Sequence, residues 1–236
     1  MLCYKAWLET RSRFLTCLAT LTLFSGIFVH HAQGIIRPEW KSDFNRLLFV
    51  NQQFLVIMWI LSVVLLGMGG IVREKAIGTS SLTLGLPVSR VRLLGVRVGM
   101  GALEAIVLGV VPWIAVFVVS SFARKPISIT QVASYVLLLV GGGLIYFALA
   151  VLVSSVVSGE YTAPALAFGI VLLAAMLFDA WLRQFNVWRL VTGDFSIDRN
   201  TYLLSGHLPW LGIFSSLSIA ALMLLASIIV VHRREF

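Results

Sequence analysis

The sequence predicts an all-α fold: a polytopic helical membrane protein with six transmembrane helices and an N-terminal amphipathic helix lying in the membrane interface. Three observations carry that expectation. Of 236 residues, 59% are hydrophobic and 12% charged, whereas soluble domains hold roughly a quarter charged residues. Mean hydropathy is +0.98. The apolar residues also gather into six runs, each long enough to cross a bilayer, which takes about 20 helical residues.

The predicted spans are Phe14–Ile36, Leu47–Val72, Val98–Phe122, Gln131–Val157, Tyr161–Trp181 and Pro209–Val231. Inside these limits the acidic residues are Glu104 and Asp179, and Asp179 falls at a helix end. Only Ser158-Gly159-Glu160 separates the fourth span from the fifth, so those two form a tight antiparallel pair. Residues 1–13 are set apart from the membrane domain, 14–236. In them Tyr4, Trp7, Leu8 and Phe14 recur at helical spacing, and Lys5 and Glu9 form an i,i+4 pair. The pattern describes an amphipathic helix anchored in the interface by Trp7.

Orientation is read from Lys and Arg. With the N-terminus in the cytosol, the inner parts carry Lys5, Arg11, Arg13, Arg73, Lys75, Arg90, Arg92, Arg97, Arg233 and Arg234. The outer parts carry Arg37, Lys41, Arg46, Arg124, Lys125, Arg183, Arg189 and Arg199. The inner set sits in short loops beside helix ends, where the rule applies best. Both termini are therefore expected in the cytosol, and the chain is expected in the cell (inner) membrane. The net charge of +8 then belongs to loops facing anionic headgroups, making membrane lipid a partner and excluding nucleic acid. Cys3 and Cys17 form no CxxC pair and lie near the cytosolic end, so no disulfide is expected. The first run is too long for a signal-peptide core and reads as a retained helix.

The longest outer connection, 182–208, holds turn signals at Gly193-Asp194 and Asp198-Arg199-Asn200. Short helices or a partly re-entrant element are expected there, with Trp188 and Val191 on one apolar edge. Between spans two and three, segment 73–92 is the most informative. Arg73 to Lys75 end the second span, Gly78 permits a sharp turn, and Thr79 caps a short helix carrying Leu82 and Leu86 on one face. Pro87 ends that helix, and Ser89 caps the next. The product is a stiff element across the cytosolic surface, able to take a push from a soluble partner and pass it to both spans.

The order Glu74, Gly78-Thr79, an apolar run to Leu86, then Pro87-Val88-Ser89-Arg90 resembles the permease subunits of type-2 ABC transporters, in particular the branch of the multicopper-enzyme-maturation permeases. The likeness extends to the N-terminal helix, the six spans and the basic tail His232-Arg233-Arg234-Glu235. It implies that this segment is a coupling helix docking on an ATP-binding-cassette ATPase subunit, with Glu74, Gly78, Thr79, Leu82, Pro87 and Arg90 as the coupling residues. Ser80 and Thr83 make the docking face more polar than is usual. It also implies export, and a second permease chain, the same or similar, to enclose the pathway. The chain itself has no Gly-Lys dipeptide and hence no P-loop, so ATP belongs to the partner subunit and no cofactor to this one.

Glu104 is the acid well inside a span, an intramembrane carboxylate that must face protein or water. It lies seven residues after Arg97 on nearly the same helix face. It lines a pathway or carries a proton on one reading, and makes a structural hydrogen bond or snorkelling pair on the other. His30 and His31 close the first span with no carboxylate at metal-ligand spacing, so no metal site is expected. Asp179 and Arg183 are spaced for a local ion pair. Gly95-x-x-x-Gly99, Ala165-x-x-x-Gly169 and Gly141-Gly142-Gly143 permit close helix approach, and the last also suits a bend. An intramembrane enzyme is disfavoured: there is no HExxH or GxSG-type site, and the histidines sit at span ends or in loops. A proton-coupled secondary transporter using Glu104 is the alternative function, as is a non-transporting ABC module that works on a membrane partner.

Overall fold

The computed structural model describes residues 2–35, 44–68, 90–122, 127–157, 162–181, 186–198, 201–204 and 207–233. Among them are seven helices: α1 (Leu2–Ile35), α2 (Phe44–Gly67), α3 (Arg90–Phe122), α4 (Ile129–Val156), α5 (Thr162–Trp181), α6 (Val187–Thr192) and α7 (Trp210–Arg233). All but α6 are long and apolar enough to cross a membrane. The six-span helical architecture is thus present, and the chain is a multi-pass membrane protein. Six crossings bring both termini to one end of the bundle, where Leu94 near the start of α3 packs with Val231 near the end of α7. We call this the terminal end and the opposite one the far end.

The N-terminal helix is present, and it continues into the first span without a break at Arg13. Its inner face is not laid on a surface by itself: Ala6 and Phe14 are buried, and Trp7 packs edge-on against Phe14, with ring centroids 5.5 Å apart. The third span likewise begins eight residues earlier than its apolar run, at Arg90. Both extensions carry charges that hydropathy alone places outside a span.

Local chemistry explains the helix ends and interiors. Ser128 caps α4 by accepting from the Gln131 amide at 3.3 Å. Pro112 lies within α3, which runs on through it, as membrane helices allow when neighbours support the backbone. Some hydroxyls inside the spans return to their own helix: Thr20 bonds the Thr16 carbonyl and Ser62 the Met58 carbonyl. That satisfies them where no water is at hand.

α2 and α4 are the most buried spans, and α1, α5 and α7 lie outside them. α4 makes its most extensive contact with α7, and α1 makes its own with α3. Gly141, Gly142 and Gly143 do not break α4; they admit three different neighbours. A Cβ on Gly143 would stand 2.5 Å from the Trp59 ring, one on Gly142 3.0 Å from Val191, and one on Gly141 3.0 Å from Ile213. Gly109 of α3 completes the notch for Trp59, whose Nε1 donates to the Ala105 carbonyl at 3.0 Å. By contrast, a Cβ at Gly95, Gly99 or Gly169 meets nothing within 4 Å. Those two small-residue pairs therefore do not mark crossings within the described residues, because spacing finds a smooth stripe but not the helix that covers it.

Candidate functional site

Two polar clusters stand out, one at each end of the bundle. The cluster at the terminal end flanks the segment singled out in the sequence. Glu74, Gly78, Thr79, Leu82 and Pro87 lie outside the described residues, and Arg90 is the first residue of α3. What the structure describes is the two roots from which that segment leaves and to which it returns.

The α2 root is fastened to α4. A Cβ on Gly67 would lie 2.8 Å from that of Ala150, so the two helices touch backbone to backbone. The Ser154 hydroxyl lies 3.2 Å from the Gly67 carbonyl. The same hydroxyl stands 2.9 Å from the Val151 carbonyl of its own helix, so its one proton is shared between that carbonyl and the last-turn carbonyl of α2, which lacks an intrahelical partner.

The α3 root is fastened to α1. Arg97 donates through a terminal guanidinium nitrogen to the Glu9 carboxylate at 2.5 Å, and Lys5 stands 3.8 Å from the same carboxylate's other oxygen. Two turns further into α3, Thr10 donates its hydroxyl to Oε1 of Glu104. Glu104 is buried, and its Oε2 has no hydrogen-bond partner among the described residues. Arg97 and Glu104 do share a face, as the sequence spacing implied, but each reaches across to α1. Sequence reasoning found Lys5–Glu9 and Glu104 but missed Thr10, whose signal is only that a hydroxyl falls where a helix pairing brings it.

Between the roots lies a small cavity of about 40 Å³, lined by all four helices, with Thr10, Gly67, Arg97, Gly101 and Phe147 among its walls. A Cβ on Gly101 would meet the Phe147 ring at 2.8 Å, so α3 and α4 close tightly immediately beyond it.

At the far end, α6 lies between α2, α4 and α7. Asn186 caps it through Oδ1, accepting from the Trp188 amide at 2.9 Å. Gly193 ends it in the left-handed conformation at φ 83°, where only glycine is free of a Cβ clash. The turn signal at Gly193-Asp194 is realised; of the second, Arg199 and Asn200 lie outside the described residues, and on either side of them Tyr202 donates its amide to the Asp198 carbonyl at 2.7 Å. Arg183 lies outside the described residues. Asp179 accepts from Arg189 Nε at 2.7 Å, and Arg189 reaches Asp194 at 3.5 Å. This bracket ties the end of α5 to α6 along one side of a groove of about 550 Å³, walled by Phe49, Leu172 and Met176. That volume lies within the range of ligand pockets.

Deeper in the bundle, Gln52 of α2 donates to the Val191 carbonyl at 2.9 Å and accepts from Trp113 Nε1 at 3.1 Å. Trp113 stacks on Tyr135 at 4.5 Å. Its neighbour Asn51 is fully buried, with neither side-chain polar atom hydrogen-bonded among the described residues. Three consecutive amides, Asn51-Gln52-Gln53, inside an apolar run were the legible signal for this polar layer, and a search confined to charges passes over them. His30 and His31 stand ring to ring at 5.1 Å, and no group of three metal-ligating side chains occurs among the described residues.

Comparison with known proteins gives one match. The family described as ABC-2 family transporter protein matches residues 14–189. No curated protein and no solved structure matches the chain.

Proposed function

The chain belongs to the ABC-2 transporter family, as a membrane permease component of an ABC transporter, and on that premise we propose that it is the permease of an exporter driven by ATP hydrolysis on a separate subunit. In this reading two permease chains, identical or similar, enclose the pathway beside two ATPase subunits. Both termini face the cytosol of the inner membrane, and lipid surrounds the exposed apolar faces of α1, α5 and α7. Segment 73–92 is the coupling element.

The observation that carries this reading is the anchoring of both of its roots. A push on a surface segment does mechanical work only if the helices at its two ends are held by the bundle; otherwise the push is absorbed locally. The Gly67–Ser154 contact on one side and the Thr10–Glu104 bond on the other, aligned by the Glu9–Arg97 pair, supply that purchase. For Glu104, the bond from Thr10 favours a structural role over a proton-carrying one, which weakens the secondary-transporter alternative.

The test is co-purification with the ATPase subunit and ATP turnover of the assembled complex. Leu82→Asp should weaken docking by placing a charge in an apolar contact, while the double variant Gly78→Ala, Pro87→Ala should leave docking partly intact but lower turnover by extending the neighbouring helices through the two turns. Wild-type docking and turnover in both would remove the coupling reading.

A further inference from the structure

Resting on the permease reading, we propose that Glu9 and Thr10 are positioning residues. Through Arg97 and Glu104 they clasp the N-terminal turns of α1 to α3, so that α1 and α3 move as one body when segment 73–92 is pushed.

α1 and α3 run parallel and meet along their length. The Glu9–Arg97 and Thr10–Glu104 bonds join them at the terminal end, and Gly26 faces Val119 towards the far end, where an added Cβ would lie at 3.9 Å. The clasp has two unequal parts. Glu9 is about one-third exposed, so its pair with Arg97 is screened and aligns the helices more than it holds them. Glu104 is buried, and withdrawing the Thr10 hydroxyl would leave a desolvated carboxylate with no donor, which is far costlier. The inner bond therefore holds and the outer pair sets the register.

The opposite pair, α2 with α4, is bound just as closely at Gly67. The cavity of about 40 Å³ lies on the seam between the two pairs, directly beneath the two roots. Close-packed interiors transmit displacement and resist internal shear. Relative motion at this end is therefore cheapest where the cavity leaves packing between the pairs incomplete, up to the close Gly101–Phe147 contact that bounds it. The segment links α2 of one pair to α3 of the other along the chain, so displacing it acts on both pairs.

The experiment uses the full chain with Cys3 and Cys17 replaced by serine. Spin labels go at Tyr4→Cys and Val91→Cys to report α1–α3, and at Tyr4→Cys and Leu61→Cys to report α1–α2; all three positions are exposed. Distances are measured in nanodiscs for the chain alone, then for the complex with its ATPase, nucleotide-free and nucleotide-trapped. The α1–α3 distance should stay constant on trapping while the α1–α2 distance shifts. Thr10→Val should broaden the α1–α3 distribution and lower ATP turnover severalfold, because the buried Glu104 side chain loses the donor that ties it to α1. Glu9→Arg should broaden it less, and Glu9→Arg with Arg97→Glu should narrow it again. Glu104→Gln, which keeps an acceptor for Thr10, should resemble wild type. An α1–α3 shift on trapping as large as the α1–α2 shift overturns the proposal. So does an unchanged distribution in Thr10→Val and Glu9→Arg. If no ATPase binds the chain, the permease reading fails, and the distributions in the chain alone still decide whether the clasp exists.

Discussion

At the scale of single residues, Asn51 and Gln52 have the same chemistry and opposite circumstances. Gln52 bridges α6 and α3, satisfying the Val191 carbonyl and the Trp113 indole. Gln52→Leu strands both, and an orphaned buried polar group costs about 1–3 kcal/mol. Asn51 satisfies nothing among the described residues, so Asn51→Leu removes a buried amide without creating an orphan. Thermal unfolding in detergent should show a clear fall in midpoint for Gln52→Leu and an unchanged or raised midpoint for Asn51→Leu. The reverse order would mean that Asn51 has a partner that Gln52 lacks. A stabilised Asn51→Leu that also stops transport would mark this amide as retained for function, since nothing in the packing calls for it.

At the scale of elements, association of membrane helices has no hydrophobic drive and depends on close approach. α4 achieves this with consecutive glycines, which point about 100° apart around the helix and so admit Ile213, Val191 and Trp59 on three sides. Gly143→Ala would force a methyl group to 2.5 Å from the Trp59 ring, and overpacking of this kind costs about 1–3 kcal/mol. Gly95→Ala meets open space and gains helix propensity, up to about 1 kcal/mol. The expected outcome is a lowered unfolding midpoint for Gly143→Ala and an equal or higher one for Gly95→Ala. Equal loss in both would mean that the Gly95 face is covered by a second chain, detectable as a change in oligomeric mass.

At the scale of the whole molecule, the six crossings make one firm demand: both termini and segment 73–92 share a side, and α6 with its turns lies on the other. Reporter fusions after Phe236 and within 78–90 should both signal cytosol, and a fusion at Asp194 should signal the outside. A cytosolic signal at Asp194 would break the six-span topology and separate the Asp179–Arg189 bracket from the side assigned to it. The bundle also places its concavities apart, the small seam at the terminal end and the wider groove at the far end. This is the arrangement expected if force enters at one end and a ligand passes at the other.

What the sequence determined by itself is the class, the number of spans and the family, because each rests on information carried locally. Hydropathy over about 20 residues is a property of a segment, and the order Glu74, Gly78-Thr79, Pro87, Arg90 is a string. The turn at Gly193 and the short helix before it were legible for the same reason. The partners of polar groups were decided only by the tertiary structure. Asp179 is held by Arg189, ten residues on and on another helix, a partner the sequence spacing did not suggest. Arg97 and Glu104 were read on one helix, and each is engaged by α1. The small-residue stripes at Gly95 and Gly169 proved open, while Gly67, Gly101 and Gly109 proved tight. In all of these the deciding quantity is which helix lies alongside and in what register. Lipid-facing and helix-facing surfaces are equally apolar in a membrane protein, so the hydrophobic pattern that reveals the buried face of a soluble helix carries no such information here.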